Sequence, residues 1–147
     1  MLDKGKIGAE TEEREIAVEA GMLALFCQAV GETNPIYRDQ NAARDAGYRA
    51  IPTPPTYASV LANLAPAKID LVIGVLGADL GRMLHGEQSF TQVKPIYVGD
   101  RIRLRQRIID IYDKKGGALE FVVLETSATN QDDELCATMR TVAVLRN

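Results

Sequence analysis

Residues 56–65, Thr-Tyr-Ala-Ser-Val-Leu-Ala-Asn-Leu-Ala, constrain this chain more than any other stretch. Tyr57, Ala58, Val60, Leu61, Ala62 and Leu64 are apolar at nearly every angle around a helix, and such a helix belongs inside a protein. Its approach is stiff. Ile51-Pro52-Thr53-Pro54-Pro55 precedes it, with Thr53 expected as the N-cap and Pro54 at the first helical position. Pro66 ends it. Something broad and apolar has to cover this segment.

The cover lies downstream. Leu84 to Val93, Arg101 to Tyr112, Leu119 to Asn130 and Leu135 to Arg146 read as strands. They are punctuated by Val98-Gly99-Asp100, Lys115-Gly116-Gly117 and Asn130-Gln131-Asp132-Asp133, all turn chemistries. Such short connections predict an antiparallel meander. In the last strand Leu135, Ala137, Met139, Ala143 and Leu145 share one face, as in a half-buried sheet. Adjacent Ile108 and Ile109 break the alternation and predict a bulge.

Upstream, Thr11 to Val18 reads as a short edge strand. Glu19 to Val30 is an amphipathic helix stopped by Gly31, and Asp39 to Ala46 is a short helix stopped by Gly47. Lys68 to Arg82, with glycines at 74, 77 and 81, fits neither period. The sum is an α+β fold in one domain, residues 1–147, with a long antiparallel sheet against one buried helix.

Chemistry concentrates in Gly31-Glu32-Thr33-Asn34-Pro35-Ile36-Tyr37. Pro35 fixes its own φ and drives Asn34 into an extended conformation, so a rigid loop after a helix can aim Glu32, Asn34 and Tyr37 at one point. The plainer reading is an ordinary Asn-Pro turn with a solvated Glu and a rim Tyr. His85, the only histidine, is either a substitute acid–base group or a strand-start side chain bonded within the fold. Arg101, Arg103, Arg105 and Arg107 share one strand face, which is either a basic strip for phosphates or a solvated surface.

Several classes are disfavoured. A net charge of −3 argues against nucleic-acid binding. The longest apolar run, Leu71 to Ala78, is too short to span a membrane, and no signal-peptide core follows Met1-Leu2-Asp3-Lys4. One histidine with Cys27 and Cys136 gives no metal-ligand spacing, so no metal is expected. Both cysteines read as buried thiols in a reducing cytoplasm.

Gly31 to Tyr37 resembles the hydratase motif of MaoC-like dehydratases, Gly-Asp-x-Asn-Pro-Leu/Ile-His. Leu84-His85-Gly86-Glu87-Gln88-Ser89-Phe90, then Pro95 and Val98-Gly99-Asp100, resembles the branch related to the dehydratase domain of type I fatty-acid synthase. So does Asp110-Ile111-Tyr112-Asp113-Lys114-Lys115-Gly116-Gly117 before a Phe-Val-Val strand.

The resemblance runs from about Glu10 to Arg146 and implies the hot-dog fold, a sheet wrapped round a central helix. It also implies R-specific hydration of trans-2-enoyl thioesters, or the reverse dehydration of 3-hydroxyacyl chains, on CoA or acyl carrier protein without a cofactor. The family's Asp falls on Glu32, its Asn on Asn34 and its His on Tyr37. A backbone N–H at the start of the central helix polarises the thioester oxygen. Here prolines displace that role to Thr56, with Tyr57 and Leu61 as candidate acyl contacts. A phenol titrating near ~10 is a poor base at neutral pH.

Three functions follow from the resemblance. The chain is a hydratase subunit, or the non-catalytic acyl-binding half of one paired with an intact hot-dog chain, or an acyl-CoA thioesterase. The expected assembly is a homodimer or a heteromer.

Overall fold

A computed structural model describes residues 1–147. Its frame is a five-stranded antiparallel sheet in the order β1-β3-β4-β5-β2. The strands are β1 (Arg14–Ala17), β2 (Met83–Gln92), β3 (Arg101–Lys114), β4 (Leu119–Thr129) and β5 (Leu135–Arg146). The helices are α1 (Ala20–Val30), α2 (Gln40–Asp45) and α3 (Tyr57–Leu64).

β3, β4 and β5 form the expected meander. β2 does not join it in sequence order, because it crosses the molecule and pairs with β5 on the far edge. The connection 93–100 makes that crossing possible. Val93 and Lys94 both donate to the Cys136 carbonyl, and Thr53 and Val98 zip residues 51–53 against 96–98 through N–H···O bonds of 2.8 Å each. β2 is therefore one open edge of the sheet, and short β1 is the other. The bulge falls between Ile108 and Asp110, where the sequence predicts it.

α1 ends at Gly31, whose φ of 73° is the left-handed conformation that closes the last turn onto Cys27 and Gln28. α3 starts three residues later than the sequence predicts. Thr53 does not cap it, because residues ahead of a proline favour extended backbone and Thr53 spends its N–H on the Ile96 carbonyl. Pro54 accepts from Tyr57 N–H to make the entering turn.

The expectation that α3 is buried on all sides holds for one stripe only. Tyr57, Ala58 and Leu61 are 2% exposed or less, whereas Leu64 is 44% exposed. A helix of eight residues lying on a sheet covers one side of itself, and its outer face stays open in this chain.

The core is divided. One cluster gathers Val18, Leu23, Cys27, Tyr57, Leu61, Ile102, Leu104 and Ala128 around α1 and α3. A second gathers Leu71, Val72, Ile108, Val122, Leu124 and Leu145 under residues 71–78. Those residues, unassigned from sequence, form a single π-helical turn (Leu71–Val75) capped by Asp70, whose Oδ1 accepts from Val72 and Ile73 at 2.8 and 2.7 Å. Burial of Leu71 and Val72 holds the turn on the sheet.

Candidate functional site

The Asn34-Pro35 loop is as rigid as its sequence demands. Asn34 is extended (φ −61°, ψ 121°) and its Oδ1 accepts from Ile36 N–H, capping a 3₁₀ turn over Pro35–Tyr37. Arg38 donates back to the Glu32 carbonyl at 2.9 Å. Asn34 is thus a loop-building residue, with its side-chain oxygen already committed.

Glu32 and Tyr37 leave this loop into different cavities. Glu32 lines one of about 470 Å³ with Cys27, Gln28, Thr33 and Arg38. Its Oε1 turns back to accept Asn34 N–H at 2.8 Å, closing its own loop. Tyr37 lines another of about 300 Å³, with Tyr48, Thr53, Pro55, Gln92 and Lys94. The two groups still feel each other: burial, and then the Glu32 carboxylate, hold the Tyr37 phenol above its ordinary value. At neutral pH Tyr37 keeps its proton and is a hydrogen-bond donor, not a base.

Sequence reasoning did not single out Tyr48, Gln92 and Lys94, polar residues that line Tyr37's cavity. Lys94 is ion-paired with Glu134. Next to Tyr48, Arg49 stacks 4.1 Å over the Tyr97 ring and donates to buried Asp100 at 2.5 Å. A Tyr-Arg pair after Gly47 carries no family spacing, so only the fold reveals it.

At the start of α3, Thr56 is exposed and its N–H makes no hydrogen bond within the chain. Pro55, its neighbour, lines Tyr37's cavity. Tyr57 and Leu61 are core residues. Tyr57 packs edge-on against Phe26, ring centroids 5.3 Å apart, and borders only a small apolar cavity with Ile16, Met22 and Leu64. Leu61 has no exposed surface from which to meet a ligand.

His85 is brought to neither Glu32 nor Tyr37. It stands on β2 at a third cavity of about 390 Å³, facing Ser59, Asn63, Gln106 and Thr141. Its Nε2 lies 3.3 Å from Gln88 Oε1, which also accepts from Thr141 Oγ1 at 2.8 Å.

The arginine strip on β3 is not a free basic surface. Arg101 pairs with Glu15, Arg103 with Asp133 at 2.5 Å, Arg105 with Glu10 and Glu13 at 3.6 Å, and Arg107 with Glu10 at 3.8 Å. Carboxylates of the N-terminal segment and Asp133 pair with all four, which favours the reading as a solvated surface over a strip for phosphates.

Residues 5–139 match the family described as FAS1-like, dehydratase domain region. A UPF0336 protein of Saccharopolyspora erythraea is 32% identical over 148 residues, covering 99% of this chain and 92% of that one. Among solved structures, the C-terminally truncated HadBC (3R-hydroxyacyl-ACP dehydratase) complex of Mycobacterium tuberculosis superposes with a TM-score of 0.77. The two are 26% identical, with 95% of this chain and 96% of that one covered. A MaoC-like dehydratase superposes with a TM-score of 0.84 at 22% identity, over 97% of this chain and 42% of the other. No helix is long and apolar enough to cross a membrane.

Proposed function

This chain belongs to the FAS1-like dehydratase-region family and has the hot-dog fold of MaoC-like dehydratases, and from that premise we propose that it is the acyl-thioester-binding half of a hydratase/dehydratase. Its substrates are trans-2-enoyl or 3-hydroxyacyl chains on CoA or acyl carrier protein. A second hot-dog chain with an intact Asp/His motif supplies the proton chemistry.

One observation carries the reading. Where the family motif places a water-holding pair, this chain has a carboxylate folded back on its own loop and a phenol that holds its proton. The two line separate cavities. Hydration needs a base that takes a proton from water as the oxygen attaches to C3, and an acid that protonates C2. Such groups contribute on the order of 10²–10⁴ in rate and work best with pKa values near the operating pH. Tyr37 O–H and Thr56 N–H retain the other half of the job, as hydrogen-bond donors suited to a thioester oxygen.

Partnering is supported by the open β2 edge with half-exposed Leu84 and by Leu64 on the outer face of α3. The family neighbour HadBC is itself a two-component complex. The alternative of an autonomous hydratase rests on Glu32's second oxygen, which has no partner in the chain.

The experiment is an assay of the purified chain with a short trans-2-enoyl-CoA, repeated after co-expression with the partner. Hydration only in the complex is the expected result. Turnover by the isolated chain that is lost in Glu32→Gln transfers catalysis to this chain. Thioester hydrolysis without hydration would favour the thioesterase alternative.

A further inference from the structure

The inner face of the sheet should be apolar where α3 and residues 71–78 cover it, and at both ends it is. Between the two clusters a line of polar side chains crosses four strands. Gln106 on β3 faces Thr126 on β4, Thr141 on β5 faces Gln88 on β2, and His85 follows one pair further along. Gln106 Nε2 donates to Thr126 Oγ1 at 3.2 Å. Above this line runs the cavity of about 390 Å³ roofed by Ser59, Ala62 and Asn63 of α3.

A second cavity, of about 260 Å³, shares Ala62, Asn63 and Gln106 with the first and extends it to Arg14 on β1. The two form one groove along the C-terminal half of α3. Its lining is hydrogen-bonding side chains at one end and, at the other, the Arg14 guanidinium together with Asp70, one of whose carboxylate oxygens is held by the 71–75 turn.

Arg14 differs from the four arginines on the opposite face. They all have carboxylates within 4.0 Å, and Arg14 has none. Its Nη1 donates to the Ala65 carbonyl at 2.8 Å, closing the end of α3, while its Nε is buried with no partner. The nearby acids are committed elsewhere: Asp70 caps the 71–75 turn, and Glu12 accepts Lys68 N–H at 2.8 Å. Burial holds the guanidinium below its ordinary value, and the Glu12 carboxylate, too far away to form an ion pair, opposes that only in part.

Resting on the reading of this chain as an acyl-thioester-binding half, we propose that the groove selects acyl chains ending in a carboxylate. The carboxylate meets Arg14, and oxygen-bearing carbons lie along Gln106, Thr126, Thr141 and Gln88. A guanidinium matches a carboxylate in a paired, charge-assisted geometry. A plain alkyl chain would strip water from amides and hydroxyls without replacing their hydrogen bonds. From the start of α3 to Arg14 the distance is about the length of the helix, roughly 12 Å, which suits a medium-length chain.

The test compares equal-length alkyl and ω-carboxy trans-2-enoyl-CoA substrates, using the chain in complex with its partner, and measures kcat/KM. In parallel, calorimetry measures binding of a saturated ω-carboxyacyl-CoA and its alkyl counterpart to the full chain alone. Arg14→Gln should weaken both readouts for the ω-carboxy ligand tenfold or more and leave the alkyl ligand within about twofold. Arg14→Lys, which keeps the charge, should restore most of the loss, and thermal melts check that each variant is folded. Gln106→Leu should shift preference toward the alkyl chain.

Arg14-dependent binding without any hydration would overturn the hydratase reading and leave the groove assignment standing. Hydration with alkyl preference, or equal losses for both ligands in folded Arg14→Gln, would overturn the groove assignment alone.

Discussion

The two ends of α3 are built on opposite terms. At its start, Pro54, Tyr57 and Ala58 are buried, and the 51–53 segment is hydrogen-bonded to 96–98. Toward its end, Asn63, Gln106, Thr126 and Arg14 stand round open space. The first end fixes a backbone and sets Pro55 in the wall of the Tyr37 cavity. The second leaves one buried donor, Arg14 Nε, without a partner in the protein, which a fold tolerates where water or a ligand completes it. Dense packing positions chemistry, and incomplete packing admits molecules.

The comparison breaks most readily by truncation. Leu61→Ala empties the centre of the dense end and should cost about 2–5 kcal/mol in denaturant unfolding. Asn63→Ala, two residues on but facing the groove, should stay within about 0.5 kcal/mol. Equal losses at both positions would mean that the groove is core and not a binding surface.

Next in size is the catalytic contrast. In the complex, Tyr37→Phe removes a donor but no base, so hydration should fall by no more than about tenfold. A loss of 10²–10⁴, the range of a matched acid–base group, would place proton transfer on Tyr37. Restoring the family pair with Tyr37→His and Glu32→Asp should raise hydration by the isolated chain measurably. The gain requires the new imidazole and carboxylate to reach one water, so its absence would show that Glu32's cavity and Tyr37's stay separate in solution.

Smaller still is the contrast between the paired and unpaired arginines. Arg105→Gln removes ion pairs to Glu10 and Glu13 at half-exposed positions, so stability should change by less than about 1 kcal/mol and fade with salt. Thioester binding should not change. If it weakens, the outer strip has a ligand after all.

How much of this was legible in the sequence follows the same division. Period and punctuation gave the strands of the meander, the Gly31 stop and the bulge at Ile108, because each depends on neighbours in the chain. The partner of β2 and the late start of α3 depend on contacts across the fold, namely Met139 with Phe90 and Thr53 with Ile96. The loop motif located Glu32 and Tyr37 but not their separate cavities, nor the hydrogen bond from Asn34 N–H that folds Glu32 back on the loop. The groove left one readable trace. Gln106 interrupts Ile102, Leu104 and Ile108 on the inward face of β3, and Thr126 does the same between Leu124 and Ala128. Interruptions of an inward alternation at paired positions are visible in sequence once the register is known.

The finest distinction concerns the Tyr37 proton. Burial and the Glu32 carboxylate both favour the neutral phenol, so the folded chain holds this proton more tightly than the unfolded one, whose phenol titrates near ~10. The sign follows from linkage. The stability this group contributes is complete below the unfolded value, and it is lost as pH rises through the folded value. Tyr57 and both cysteines also shift upward, so raw alkaline denaturation would mix four groups. Subtracting Tyr37→Phe isolates one of them. The difference in unfolding midpoint between the two proteins should stay flat from neutrality to about pH 10, then move against the wild type as its phenol ionises. A difference that already slopes between pH 7 and 9 would mean that Tyr37 loses its proton near working pH. It would then be a base, and the half-site reading of this chain would give way to a self-sufficient hydratase.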